Sequence, residues 1–228
     1  MKTIQKVFII SLLSITGLCV ALSTISVIGN ANLPQHSPVI ETLSEADKIR
    51  AIEFLHLHEQ LGSAVFPGWG EADIPLILCN EEYAFLIGYP NPPDGWVKVP
   101  AGIERGSVWE MTPGDAFMQQ PYYRQRLLDP EITPEAFTVM VGNRWTTSLQ
   151  TRTWLQISLA LQIRADLPEF LQPIFPYRLF TAQLVSGSDQ YISLTAHETF
   201  HAYQGMMSPK KICRCRVIQP ICRSIPLG

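Results

Sequence analysis

The polar and apolar positions begin with a run that has no alternation at all. From Val7 to Gly29 the sequence VFIISLLSITGLCVALSTISVIG is apolar or small throughout. Lys2 and Lys6 precede it, and no Asp, Glu, Lys or Arg follows until Glu41. Such a helix is apolar on every face, which suits export or a bilayer better than a core. About twenty apolar residues suffice to span a membrane. Small residues at Gly29-Asn30-Ala31 are compatible with cleavage. Residues 1–31 therefore read as a signal peptide or a membrane anchor, and 32–43 as a linker. Cys19 follows Gly17-Leu18 rather than the small residue a lipobox needs, so lipidation is not expected.

Periodicity starts at Ser44, which can cap a helix opened by Glu45-Ala46-Asp47. Ile49, Ile52, Phe54, Leu55, Leu57 and Leu61 give this helix a broad apolar face, and Gly62 is expected to end it. His56 and His58 are two apart, lie on different faces and cannot form an adjacent metal pair there. After the turn at Phe66-Pro67-Gly68-Trp69-Gly70 the period shortens. Short runs at 74–78, 83–87, 96–99 and 108–111, separated by Asn-, Pro- and Gly-rich segments, predict a β-meander. Residues 137–141 and 146–154 predict a hairpin turning through Gly142-Asn143-Arg144. A helix over 155–165 is limited by Pro168, and Pro173 and Pro176 break the chain again. A last helix runs from Ser188 to Gln204, with Ser188 as cap, Asp189 facing the positive end of the dipole and Gly205 as stop. The expected fold is α+β: a short antiparallel sheet with a C-terminal helix, preceded by the export or anchor helix.

Composition narrows the function classes. The 228 residues are 46% apolar and 16% charged, with 18 prolines and a net charge of −3. That balance gives no footprint for a nucleic-acid partner. The prolines favour a loop-rich domain over a helical bundle. Of the five cysteines, Cys213, Cys215 and Cys222 crowd into the tail, which is not an evenly spread disulfide framework. Trp69, Trp96, Trp109, Trp145 and Trp154 read as core and turn anchors rather than a stacking platform. Arg144, Arg152 and Tyr177 are candidate substrate contacts on residue type alone.

The chemistry sits in the last helix, in His197-Glu198-Thr199-Phe200-His201. Residues four apart share a helix face, so His197 and His201 can offer two imidazoles to one ion. Zinc favours nitrogen ligands and in catalytic sites keeps a position open for water. Glu198 is placed to act as general base on that water and to pass the proton to a leaving amine. The uncharged flanks, Leu194, Thr195, Thr199, Phe200 and Ala202, suit a helix packed behind a metal site, where charges would be costly to desolvate.

This HExxH segment resembles the zincin metallopeptidases, in which such a helix packs under an antiparallel sheet. The resemblance covers about fifteen residues together with the sheet-then-helix order. It implies a bound Zn2+ held by His197 and His201, Glu198 as catalytic base, and a peptide or protein substrate. Zincins take a third ligand from beyond the motif, a Glu on a following helix or a His or Asp close behind. No His, Asp or Glu follows His201 here; residues 206–228 instead form an irregular Cys- and Arg-rich tail. Three readings stand. Residues 44–205 are an incomplete metallopeptidase-like domain whose continuation is lost to a frameshift or early stop. Alternatively Cys213, Cys215 or Cys222 supplies a thiolate. In the third, the chain is a non-catalytic secreted or membrane-tethered binding or structural domain. With two histidines alone, zinc affinity and catalysis should both be weak. The expected location is the cell envelope, anchored in the membrane through the uncleaved N-terminal segment, or outside the cell.

Overall fold

A computed structural model of the chain describes residues 2–99, 103–106, 108–127, 137–185 and 187–208. Along the chain the elements are α1 (Lys2–Ala31), α2 (Glu45–Val65), β1 (Leu76–Cys79), β2 (Tyr83–Ile87), β3 (Trp96–Lys98), β4 (Ile103–Arg105), β5 (Glu110–Met111), β6 (Tyr123–Arg126), β7 (Phe137–Val141), β8 (Arg144–Gln150), α3 (Arg152–Asp166), α4 (Tyr177–Leu184) and α5 (Ser188–Met207). The chain is mixed α+β, as expected, and divides into two compact units. One comprises residues 1–36 and 155–186, the other residues 37–154 and 187–228.

The larger unit is built on an eight-stranded sheet in the order β4-β3-β7-β8-β1-β2-β6-β5. The sheet is therefore longer than the short one expected, and it is no meander. β1 pairs in parallel with β8, Leu76 opposite Thr147 and Cys79 opposite Gln150, while the remaining pairs are antiparallel. That long-range pairing puts β1 and β8 at the centre, and β1 is buried on both faces. Alternation sorts its side chains. Leu76 and Leu78 join Phe85, Ile87, Leu149 and Tyr191 in one core cluster, while Ile77 and Cys79 join Leu86, Trp96, Trp109 and Val139 in another. Burial in the second cluster pushes the Cys79 thiol up and so keeps it protonated.

α2 is capped as its sequence predicts: the Ser44 hydroxyl accepts from the Asp47 N–H at 3.2 Å. It runs past Gly62 to Val65, however. Gly62 is not a stop but a contact point, because a Cβ there would lie 2.7 Å from the Gly70 backbone. Phe54 and Ala51 enter the core from this helix. Leu43, in the segment leading into α2, is also a core residue, and Ser37 donates its N–H and hydroxyl to the Glu81 carboxylate. Trp69, Trp96, Trp109 and Trp145 are buried, in keeping with their expected role as anchors.

In the smaller unit α1 is a single uninterrupted helix, long and apolar enough to cross a membrane over Gln5–Ala31, with a mean hydropathy of 2.2. Pro176 does not only break the chain. It stands at the start of α4, a helix the sequence reading left out. A fixed φ is tolerated at a helix start, where no intrahelical partner is lost.

Candidate metal centre

α5 carries the HExxH residues and packs its inner face on β8 and β7 and against α2. The buried positions, Tyr191, Thr195, Glu198, Thr199, Ala202, Tyr203 and Gly205, follow helical spacing. Several are polar, and hydrogen bonds satisfy them. Thr195 and Thr199 donate their hydroxyls to the carbonyls one turn back, at 2.8 Å each. Thr147 of β8 donates to the Thr199 hydroxyl at 3.1 Å, and Tyr191 donates to the Gln150 carbonyl at 2.7 Å. These contacts fix the helix rotation on the sheet. Gly205 fixes its height, because a Cβ there would fall 2.4 Å from the Trp145 ring. Gly205 is thus an internal close-approach residue, and α5 continues through it to Met207. Its start also differs from expectation. Gly187 holds the cap position, and the Ser188 hydroxyl instead accepts from Arg50 Nε at 3.2 Å.

The two histidines lie on the outer face of α5, both exposed. Their Nε2 atoms are 3.0 Å apart, with the rings at 85°. Two nitrogen ligands on one tetrahedral zinc stand about 3.3 Å apart for bonds of about 2.0–2.1 Å. The pair therefore fits one metal ion with a shift of a few tenths of an ångström. His201 Nδ1 also lies 3.0 Å from Gln204 Oε1. An amide oxygen can only accept, so Nδ1 carries a proton toward Gln204 and Nε2 is the nitrogen turned toward His197. Gln204 thus orients the His201 ring, as the outer partner of a metal-bound histidine would. The sequence reading missed it, although a carboxamide three residues after His201 on the same face was a visible signal.

Glu198 is 9% exposed and follows His197 on the buried side of α5. Among the described residues no group of three or more His, Cys, Asp or Glu is arranged to hold a metal. Cys213, Cys215 and Cys222, the thiolate candidates, lie outside the described residues. Among the described residues the donor set at this helix is thus two imidazoles with a carboxylate one residue along.

An aromatic cluster flanks the site. Phe200 meets Trp69 and Phe66 edge-on, and the Tyr203 hydroxyl donates to the Pro67 carbonyl at 2.7 Å. His58 stacks on Phe54 and meets the edge of Trp69. Its pKa is lowered by burial, against a backbone hydrogen bond with Trp69. His56 is exposed, and the two histidines of α2 do not pair. Arg144 is held by Asp73 and lies over the Tyr89 ring, which gives it a structural task. Tyr177 is buried. No protein-family model matches the chain, and no curated protein or solved structure matches it either.

Proposed function

We propose that the chain is a zincin-like zinc peptidase unit of the cell envelope, with His197 and His201 as zinc ligands and Glu198 as general base. The observation that carries this reading is the 3.0 Å convergence of the two Nε2 atoms on one helix face, with Gln204 orienting one ring. Zinc bound there would polarise a peptide carbonyl and acidify water. Glu198 would take the proton from the attacking water and deliver it to the departing amine nitrogen. The substrate class is a peptide or protein, with no nucleic-acid partner. The exported location rests on α1.

The second reading is a non-catalytic secreted or membrane-tethered binding or structural domain. Its support is the two-histidine donor set, which predicts weak zinc binding. Zinc titration of the full chain, read by calorimetry beside casein hydrolysis, separates the two. The peptidase reading expects one zinc per chain, at least ~10-fold weaker binding in His201→Ala, and a Glu198→Gln variant that keeps zinc but loses ~100-fold or more of its activity. Equal zinc uptake by wild type and His201→Ala would end the zinc reading. Hydrolysis that survives Glu198→Gln would end the proposed role of that carboxylate.

A further inference from the structure

The smaller unit holds two features that bear on each other. The first is how the end of α1 is held. Its last turn is helical through Ala31, and the Asn30 side-chain amide reaches the carbonyls of Pro173 at 3.0 Å and Phe175 at 2.8 Å. One residue beyond the helix, the Asn32 carbonyl accepts from Arg178 Nη2 at 2.7 Å. Ser26 is buried. The helix therefore ends tied into the 172–178 segment. A cleavage site needs extended backbone, and Gly29-Asn30-Ala31 is helical, with Gly29 and Asn30 half-buried.

The second feature is what lies beside that tie. Phe170 is 75% exposed, and on α4 Leu179, Phe180 and Leu184 are 57%, 42% and 55% exposed. Tyr177 and Thr181 of α4 are buried, so its exposed side carries Leu179, Phe180 and Leu184, with Gln183 among them and Arg178 at the edge. The only charges in residues 155–186 are Arg164, Asp166, Glu169 and Arg178, which sum to zero. Burial of this face in lipid therefore meets no net charge.

Length places the patch at a definite depth. At 1.5 Å per residue, a hydrocarbon core of about 30 Å takes about 20 residues. Counted from Val7, the core ends near Ser26, and Asn30 stands about 6 Å beyond it. That is within the headgroup layer of about 5–8 Å. Side chains fixed around Asn30 thus reach the boundary between headgroups and acyl chains, where amphipathic surface helices bury their apolar faces. Lys2 and Lys6 on the far side of α1 orient the chain with its N-terminus in the cytoplasm.

We infer that α1 is retained as a transmembrane anchor and that Phe170 and the Leu179, Phe180, Leu184 face of α4 rest in the outer interface of the same bilayer. The occupant of this apolar face is lipid, not a second protein. Two measurements on the exported full chain test this. Intact-mass analysis should show residues 1–31 still present. A photo-crosslinking p-benzoylphenylalanine placed at Phe180 or Phe170, in phosphatidylcholine vesicles, should give at least ~5-fold more lipid adduct than the same probe at Ile49, an exposed apolar position in the larger unit. All three positions are on the surface, and an unchanged far-ultraviolet circular dichroism spectrum checks that each variant folds. A mass reduced by cleavage near Ala31, crosslinks to protein at 170 and 180, or lipid adduct no greater than at Ile49 would each overturn the inference.

Discussion

At the scale of single residues, Gly205 and His58 show most directly how side chains govern the motif helix. Any Cβ at position 205 meets the buried Trp145 ring, which has no free end to swing away. Gly205→Ala should therefore cost about 1–3 kcal/mol through overpacking, despite the better helix propensity of alanine. Thermal unfolding should show a loss of several degrees, at about 2–4 °C per kcal/mol for a chain of this size. The sequence marked Gly205 as a helix stop because glycine commonly ends helices, and the contact that uses it instead comes from β8. His58 makes a prediction about pH. Burial holds its folded pKa below the unfolded value of about 6.5, so the folded state resists its protonation. Its stabilising contribution is complete above that unfolded value and drains away as pH falls toward the lower folded value. His58→Phe should therefore shrink the drop in melting temperature between pH 7.5 and pH 5.5, as calorimetry at the two values would read.

At the scale of elements, local chemistry was readable and pairing was not. Ser44 announced the start of α2, and it caps it. Ser44→Ala should cost about 1 kcal/mol, seen as a lower denaturant midpoint with an unchanged slope. The β7–β8 hairpin was legible from its alternation and its Gly142-Asn143 turn, where Gly142 has a φ of 56°. β6 was not. Its sequence Tyr-Arg-Gln-Arg looks like surface, yet Gln125 is buried because its amide oxygen accepts from the Trp96 indole at 3.0 Å. α4 was hidden by Pro173 and Pro176, read as breaks although one of them opens the helix. The outer face of α5 was legible from the HExxH spacing alone, because i and i+4 neighbours are a property of the helix itself. The inner face, with its Thr147–Thr199 hydrogen bond, depended on a strand fifty residues earlier in the chain.

For the whole molecule, a polar knot in the larger unit ties the entry to α2 to the strands at one sheet edge. Lys48 bonds to Asp115 and Glu45, Tyr122 donates to Asp115, and the Leu43 N–H donates to the Tyr122 hydroxyl. Burial tends to raise the Asp115 carboxyl, but the bonds from Lys48, Tyr122 and Ala116 outweigh it and leave it below its ordinary value. Its stabilisation is therefore full above the unfolded value of about 3.9 and is lost as pH falls through the folded one. Asp115→Asn should lower stability at pH 7 by about 1–3 kcal/mol and flatten the acid limb below about pH 4, measurable by urea titration across pH. The parallel ladder between β1 and β8 has another consequence, one of timing. β1 leaves the ribosome early with apolar side chains on both faces, but its central partner opposite Leu76 is Thr147, synthesised only much later. Loop closure over that span delays the ladder, and until it forms β1, paired only with its hairpin partner β2, keeps one edge open and sticky. Slow refolding that becomes concentration-dependent aggregation above micromolar protein, relieved by a holding chaperone, is the behaviour this strand order imposes on the nascent chain.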